Sequence, residues 1–398
     1  MTDRGGPVIT AVARTPFGRF GGALSGLSAA ELGARSIDAV LARSGVPIDG
    51  IDAVHAGVGM IGAATLTPAR QAVMLSKLPI TTPSLAIDRA CCSGMTALGL
   101  AAKDIRLGEA AAVVCGGFEL LSATPRFMPR SSAARPGVVE MEDPLLLRAP
   151  VVDRQIAVYT GEEALIHGVT REMQDEWALA SHERYHAAQS RGFFSFERVA
   201  VEAPDPKGRI ATVERDESPR ADSTLAKLAA LKPVYGGTTV TAGNAPGLSD
   251  GAAFLLAMSA EAAARMGIDQ LARVVGYTQV ASRPTSGTST PALAIAKLLH
   301  AHDLSIDALD LIEINEAYAA TPLVSTQVLA DGDHMRVRAL QARTNINGGA
   351  VAIGHPLGAS GARIVMTLIA CLHARGGGKG IAAICGGFGQ GDAVLIEV

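Results

Sequence analysis

Along the chain, short β-branched apolar runs alternate with amphipathic stretches, and the alternation occurs twice. Residues 29–43 carry apolar positions at helical spacing and lead through a polar turn into Ile48-Asp49-Gly50-Ile51-Asp52-Ala53-Val54-His55-Ala56. Residues 291–300 do the same before Ile306-Asp307-Ala308-Leu309-Asp310-Leu311-Ile312-Glu313-Ile314, at an offset of 258. Ser93-Gly94 recurs as Ser360-Gly361 at an offset of 267, and Cys115-Gly116-Gly117-Phe118 as Cys385-Gly386-Gly387-Phe388 at 270. Matches in one order at slowly drifting offsets mark an internal duplication.

Each copy runs helix, strand, Ser-Gly turn, helix and second strand, the last at residues 111–114 or 381–384. Apolar strands alternating with helices predict largely parallel sheets buried under helices. The expected fold is therefore α/β, with two pseudo-symmetric halves, layered helices and mixed sheets. The halves are placed at 1–270 and 271–398. Between the copies the texture changes: 19 of the 52 residues in 171–222 are charged, against 8 of the 63 in 336–398. Residues 120–247 are read as a loop domain inserted into the first half, helical over 171–191. Solvated helices account for it structurally, and a lid over a charged ligand accounts for it functionally.

Composition narrows the classes. Hydrophobic residues make up 48% but aromatics only 4%, so the core is built from Ala, Val, Ile and Leu. The 44 glycines point to close backbone approaches. With 18% charged residues and a net charge of −3, no basic excess points to nucleic acid or to an anionic membrane. The longest uncharged stretch, 344–362, is broken by Asn, His, Pro and five glycines and does not read as a membrane helix. The opening Met1-Thr2-Asp3-Arg4-Gly5-Gly6 lacks a signal-peptide core, and five cysteines in so long a chain suggest free thiols rather than a disulfide framework. The expected location is cytoplasmic.

Candidate chemistry gathers at strand ends. In Ile87-Asp88-Arg89-Ala90-Cys91-Cys92-Ser93-Gly94 an apolar run stops, the chain turns, and a helix begins. A thiol at a helix N-terminus meets free N–H groups and the positive end of the dipole, which favour thiolate. Cys91 and Cys92 are equally readable as small buried hydrophobes, as most free cysteines are. In the second copy, His355 sits in a glycine-rich turn before a helix, Asn315-Glu316 ends a strand, and Cys385 leads into Gly386-Gly387-Phe388-Gly389. Bare N–H groups there could meet an oxyanion. By the repeat, these are corresponding strand ends, where α/β sheets hold ligands.

Four blocks in order then give the chain its resemblance: Cys-x-Ser-Gly at Cys91, Asn-Glu-Ala-(aromatic)-Ala from Asn315, Gly-His-Pro-x-Gly-x-Ser-Gly from Gly354, and Cys-x-Gly-x-Gly at Cys385. Together with Arg14-Thr15-Pro16-Phe17-Gly18 and Gly116-Gly117-Phe118-Glu119, they resemble the thiolases over essentially the whole chain. The resemblance implies an acyltransferase that joins two acetyl-CoA into acetoacetyl-CoA and CoA, or reverses this. The alternatives are a thiolase for longer 3-ketoacyl chains and a non-catalytic acyl-CoA-binding protein of the same fold. Cys91 would carry the acyl group, His355 would activate it, and Cys385 would move the α-proton. Asn315 would orient a water beside the thioester oxygen, and the backbone N–H groups of Cys91 and Gly387 would form a second oxyanion site. Arg220 would lie in the CoA-binding region, and Ser286 would replace a methionine of the acyl pocket. Acyl-CoA and CoA are the implied partners, with CoA a substrate, no metal and no redox cofactor, in a homodimer or homotetramer.

Some positions depart from the family pattern. Asp88 stands where Asn is common, Pro246 where Ser is common, and Phe388 interrupts a glycine run. A histidine-methionine-glycine signature is replaced around Gln155-Ile156-Ala157. His182-Glu183-Arg184-Tyr185-His186 fits H-E-x-x-H, but its charge-rich helix and the lack of a third ligand read as an ordinary loop-domain helix. Cys385 argues against a decarboxylating ketoacyl synthase, which has His or Asn there.

Overall fold

Strands β1 (Pro7–Arg14), β2 (Ala53–Gly57), β3 (Ser84–Ile87), β4 (Ala112–Leu120) and β5 (Ser249–Ser259) come from the first copy. The second copy supplies β6 (Ala272–Ala281), β7 (Leu311–Ile314), β8 (Lys379–Gly386) and β9 (Gln390–Glu397). The computed structural model describes residues 6–128, 140–149, 151–205 and 207–398. The opening residues 1–5 and part of the expected insertion lie outside the described residues. The strands form one mixed sheet in the order β7-β8-β9-β6-β1-β5-β4-β2-β3, with the two-residue strand Gly18–Arg19 paired to β5.

The two copies share one wiring. In the first, β1–β5 and β5–β4 are antiparallel, while β4–β2 and β2–β3 are parallel. In the second, β6–β9 and β9–β8 are antiparallel and β8–β7 is parallel. The fifth position shrinks to one parallel bridge, Ile312 to Thr344. The halves meet at a narrow seam where β1 and β6 pair antiparallel through Val8–Arg273 and Ile9–Ala272.

Because both faces are covered, the strands are apolar throughout and their alternation sorts residues between two cores. Val113 and Cys115 of β4 and Ala382 and Ile384 of β8 face a shared central core. Ala112 and Val114 face an outer core with helix Ala29–Ser44, and Ile381 and Ala383 face another with helix Thr290–Ala301. The central core holds helices Ser93–Leu107 and Leu357–Ala374. The second is long and apolar enough to cross a membrane, but 89% of it is packed inside the protein.

Close backbone contact brings the starts of these two helices together. A Cβ on Gly94 would lie 2.4 Å from the Gly358 carbonyl oxygen, and one on Gly361 would lie 2.5 Å from the Met95 nitrogen. Only glycine permits this approach. Between β4 and β5 the chain makes a long excursion with helices Ile156–Ile166 and Arg171–Ser190. Ion pairs Arg14–Glu197 at 2.6 Å and Arg14–Asp216 at 2.7 Å tie it to β1, and Arg198–Asp216 at 3.0 Å braces it internally. Trp177 and Ser181 donate to Glu316 of the second half at 2.9 and 2.7 Å.

Candidate active site

The turn after β3 is built to present one side chain. Ala90 adopts φ +50°, a left-handed conformation uncommon outside glycine. Arg89 anchors the turn from one side by donating to Asp392 at 2.5 Å, Thr96 at 2.9 Å and Gln390 at 3.1 Å. From the other side the Ser93 hydroxyl donates to Ala90 O at 2.6 Å and accepts from Arg89 N–H at 2.8 Å. Cys91 is left partly exposed at the turn's apex, whereas Cys92 is buried with Sγ 3.6 Å from Ile384 O. All five cysteines are free thiols, and Cys371 is held by Asn347 Nδ2 at 3.2 Å.

The other half contributes three strand-end groups. His355 follows Gly354 at φ +111°, and its N–H donates to Ser249 Oγ at 3.1 Å. Its Nε2 lies 3.1 Å from Cys91 Sγ, and its Nδ1 lies 2.7 Å from Ser360 Oγ. Asn315, just past β7, is fully buried behind the histidine with Nδ2 3.5 Å from His355 Nε2. Cys385 closes β8, and Gly387, Phe388 and Gly389 follow it in the turn to β9. Cys91, His355, Cys385 and Gly387 line one cavity of about 450 Å³, together with Tyr159, Tyr318 and Thr321. Asp88, Ile156, Pro246 and Phe388, where the chain departs from the family pattern, also line it.

Burial sets the charge states. The Cys91 thiol is pushed well up, first by desolvation and then by Cys385 and Glu119. Its own backbone N–H favours the thiolate, but desolvation is the larger influence. Burial, then Arg363, lowers His355 to about 3, so the ring is a neutral imidazole. Burial and Glu163 raise the Cys385 thiol to about 12.

Three expected site residues do not line this cavity: Asn315 lies behind His355, and the two expected substrate contacts stand away from the wall. Arg220 is exposed, with its N–H donating to His182 Nδ1 at 3.1 Å, and it forms no part of the wall. That bond also engages one of the two histidines of the H-E-x-x-H segment. Among the described residues no three His, Cys, Asp or Glu side chains converge as metal ligands. Ser286 stands back while Pro284, Gly287 and Thr288 line the wall. Conversely, several buried polar residues of the site carried no role in the sequence. Glu119 accepts from Gly59, Met60 and Gly358 N–H at 2.9, 3.0 and 3.0 Å, clamping the His355 turn to the first half. Glu163 accepts from Thr288 N–H and Ser289 Oγ at 2.8 and 2.7 Å, fixing the cavity wall. Ser360 was visible only as part of its motif.

Comparison with known proteins places this geometry. A family model described as thiolase, N-terminal domain, matches residues 7–261, and one described as thiolase, C-terminal domain, matches 268–398. A beta-ketoadipyl-CoA thiolase of Pseudomonas aeruginosa is 40% identical over 395 residues, 96% of this chain and 97% of that protein. An acetyl-CoA acetyltransferase of Cupriavidus necator is 39% identical over 406 residues, all of both chains. The crystal structure of the Bacillus anthracis acetyl-CoA acetyltransferase superposes with a TM-score of 0.93 at 38% identity, covering 99% of this chain and 98% of that one.

Proposed function

The chain belongs to the thiolase family of acyltransferases, and from that premise we propose that it joins two acetyl-CoA into acetoacetyl-CoA and free CoA, reversibly. The observation that carries this reading is the 3.1 Å approach of His355 Nε2 to Cys91 Sγ in the cavity that Cys385 also lines. His355 Nε2 takes the thiol proton as Cys91 attacks the thioester carbonyl. The C–S bond to CoA breaks, Cys385 gives its proton to the leaving CoA sulfur, and the acetyl group stays on Cys91 beside a Cys385 thiolate and a protonated His355. A second acetyl-CoA then gives an α-proton to the Cys385 thiolate, while the Nε2–H of the protonated His355 and a water held by Asn315 support the enolate oxygen. The enolate carbon attacks the acetyl carbonyl, whose oxyanion faces the N–H groups of Cys91 and Gly387. That attack forms the new C–C bond, and collapse of the oxyanion breaks the Cys91 C–S bond, the freed sulfur recovering its proton from His355.

Two thiols are needed because one is occupied by the acyl group when the proton must move. The reaction as written uses CoA as substrate and calls on no metal or redox cofactor. On the same reading the protein works in the cytoplasm as a homodimer or homotetramer. Incubation with radiolabelled acetyl-CoA, followed by peptide mapping, tests the first step: label on Cys91 supports it. Tight CoA binding without label would instead mark a binding protein of this fold.

A second reading, transfer of longer 3-ketoacyl chains, is favoured by the small Gly287 and Thr288 in the cavity wall. Thiolysis rates for acetoacetyl-CoA and 3-ketooctanoyl-CoA decide between the two.

A further inference from the structure

Arg363 lies two turns past His355 on helix Leu357–Ala374 and is only 1% exposed. A guanidinium withdrawn from water persists where its charge and donors are engaged. Its single hydrogen bond to a described residue runs from Nη2 to Asn315 Oδ1 at 3.4 Å, while Nε and Nη1 find no protein acceptor. The charged groups around it are Glu313, Glu197, Arg14 and Glu316. Glu197 is taken up by Arg14 and Thr367, and Glu316 by Trp177, Ser181, Asn345 and Val351. Glu313 is pushed up by burial to about 8, and its Oε2 has no protein donor. The group that the guanidinium holds directly is the Asn315 amide.

An amide has polarity, and this one is read from both ends. With Oδ1 toward Arg363, Nδ2 faces His355 Nε2 at 3.5 Å and, beyond it, the Cys91 thiol. The flipped amide would set its NH₂ against the guanidinium and its oxygen against the imidazole lone pair, two repulsive contacts. We propose that Arg363 is a positioning residue for acyl transfer: it locks the Asn315 amide from behind, so that an N–H donor faces the place where the thioester oxygen gathers charge. The inference rests on the reading of Asn315 and His355 as holders of that oxygen.

The test compares R363M, R363K, N315A and N315A/R363M in acetoacetyl-CoA thiolysis and in condensation, with thermal melts as folding controls. R363M lowers kcat about tenfold or more, while KM for CoA stays within about twofold. In the N315A background the same substitution costs less than about twofold, because the group it acts through is gone. R363K, which keeps the charge but loses the fork, falls between wild type and R363M. An unchanged kcat in R363M, or a loss of equal size in both backgrounds, overturns the inference. Should R363M not fold, R363K with and without N315A answers the same question. A silent N315A brings down the reading of Asn315 together with this inference; a strong N315A beside a silent Arg363 variant brings down the inference alone.

Discussion

His355 Nε2 lies 3.1 Å from Cys91 Sγ, and the surroundings push the two groups apart in acidity. Burial raises the thiol and lowers the imidazole to about 3, so the resting pair is thiol and neutral imidazole, not thiolate and imidazolium. Alkylation of Cys91 by iodoacetamide therefore climbs steadily with pH, without the plateau between about pH 5 and 8 that an ion pair gives. The rate of activity loss across that range is the measurement, and a flat profile refutes the neutral pair. H355A, which removes the proton acceptor, slows acetyl transfer to Cys91 by roughly 10² to 10⁴.

The tautomer of that imidazole is set by Ser360. Its hydroxyl donates to Pro356 O at 2.9 Å, and its one proton is then spent, so toward His355 Nδ1 at 2.7 Å it accepts. The ring proton is thus fixed on Nδ1, and Nε2 is bare where Cys91 must deliver its proton. S360A frees the other tautomer and lowers kcat about tenfold, at a stability cost of about 1 kcal/mol in urea melts. A full-rate S360A with the same melt would remove the serine from this role.

What the sequence carried and what it did not divide along a physical line. Cys91, Asn315, His355 and Cys385 stand at strand ends or helix starts, so local pattern and the repeat locate them. The strands themselves were legible because burial on both faces leaves unbroken apolar runs, but their direction was not: largely parallel sheets were expected, and five of the eight pairings among the nine strands are antiparallel, only β4–β2, β2–β3 and β8–β7 being parallel. The β1–β6 seam was not, since two residue pairs leave no mark in the pattern. Ser286 was assigned by position in a loop, where one residue's displacement moves a side chain off the wall, as happens beside Gly287 and Thr288. Glu119 and Arg363 acquire their meaning from groups 59 to 239 and 48 positions away, which no spacing reveals.

Glu119 gives a pH-dependent prediction. It is buried, and desolvation raises it from 4.5 to about 7 despite three backbone donors. A carboxyl whose folded value is raised binds its proton more tightly in the folded state. Its contribution is fully present below about pH 4.5 and is lost as pH rises toward and through about 7. E119Q cannot titrate, and it offers one acceptor oxygen where the carboxylate receives Gly59, Met60 and Gly358 on two. The stability of wild type minus that of E119Q, read from urea melts, falls between pH 5 and pH 8. A signed difference that rises over that interval contradicts the linkage.

Two adjacent glycines separate packing from conformation. Gly386 has ordinary extended backbone at φ −111°, yet a Cβ there would lie 2.9 Å from Cys92 Sγ and 3.0 Å from Arg89 O. At Gly387 the nearest atom would be Ala90 Cβ at 3.5 Å, an ordinary contact. Gly386 therefore sits in the joint between the turn that presents Cys91 and the strand end that presents Cys385. Arg89 O is backbone, and Cys92 is packed against Ile384, so neither gives way easily. G386A wedges the two thiols' supports apart: kcat falls about tenfold or more, and stability falls by about 1–3 kcal/mol. G387A keeps kcat within a few-fold, because the added methyl makes only an ordinary contact with Ala90 and the N–H stays in place. Condensation rates and thermal melts of the two variants decide the matter, and a G387A more damaged than G386A would show that the joint does not set the spacing of the thiols.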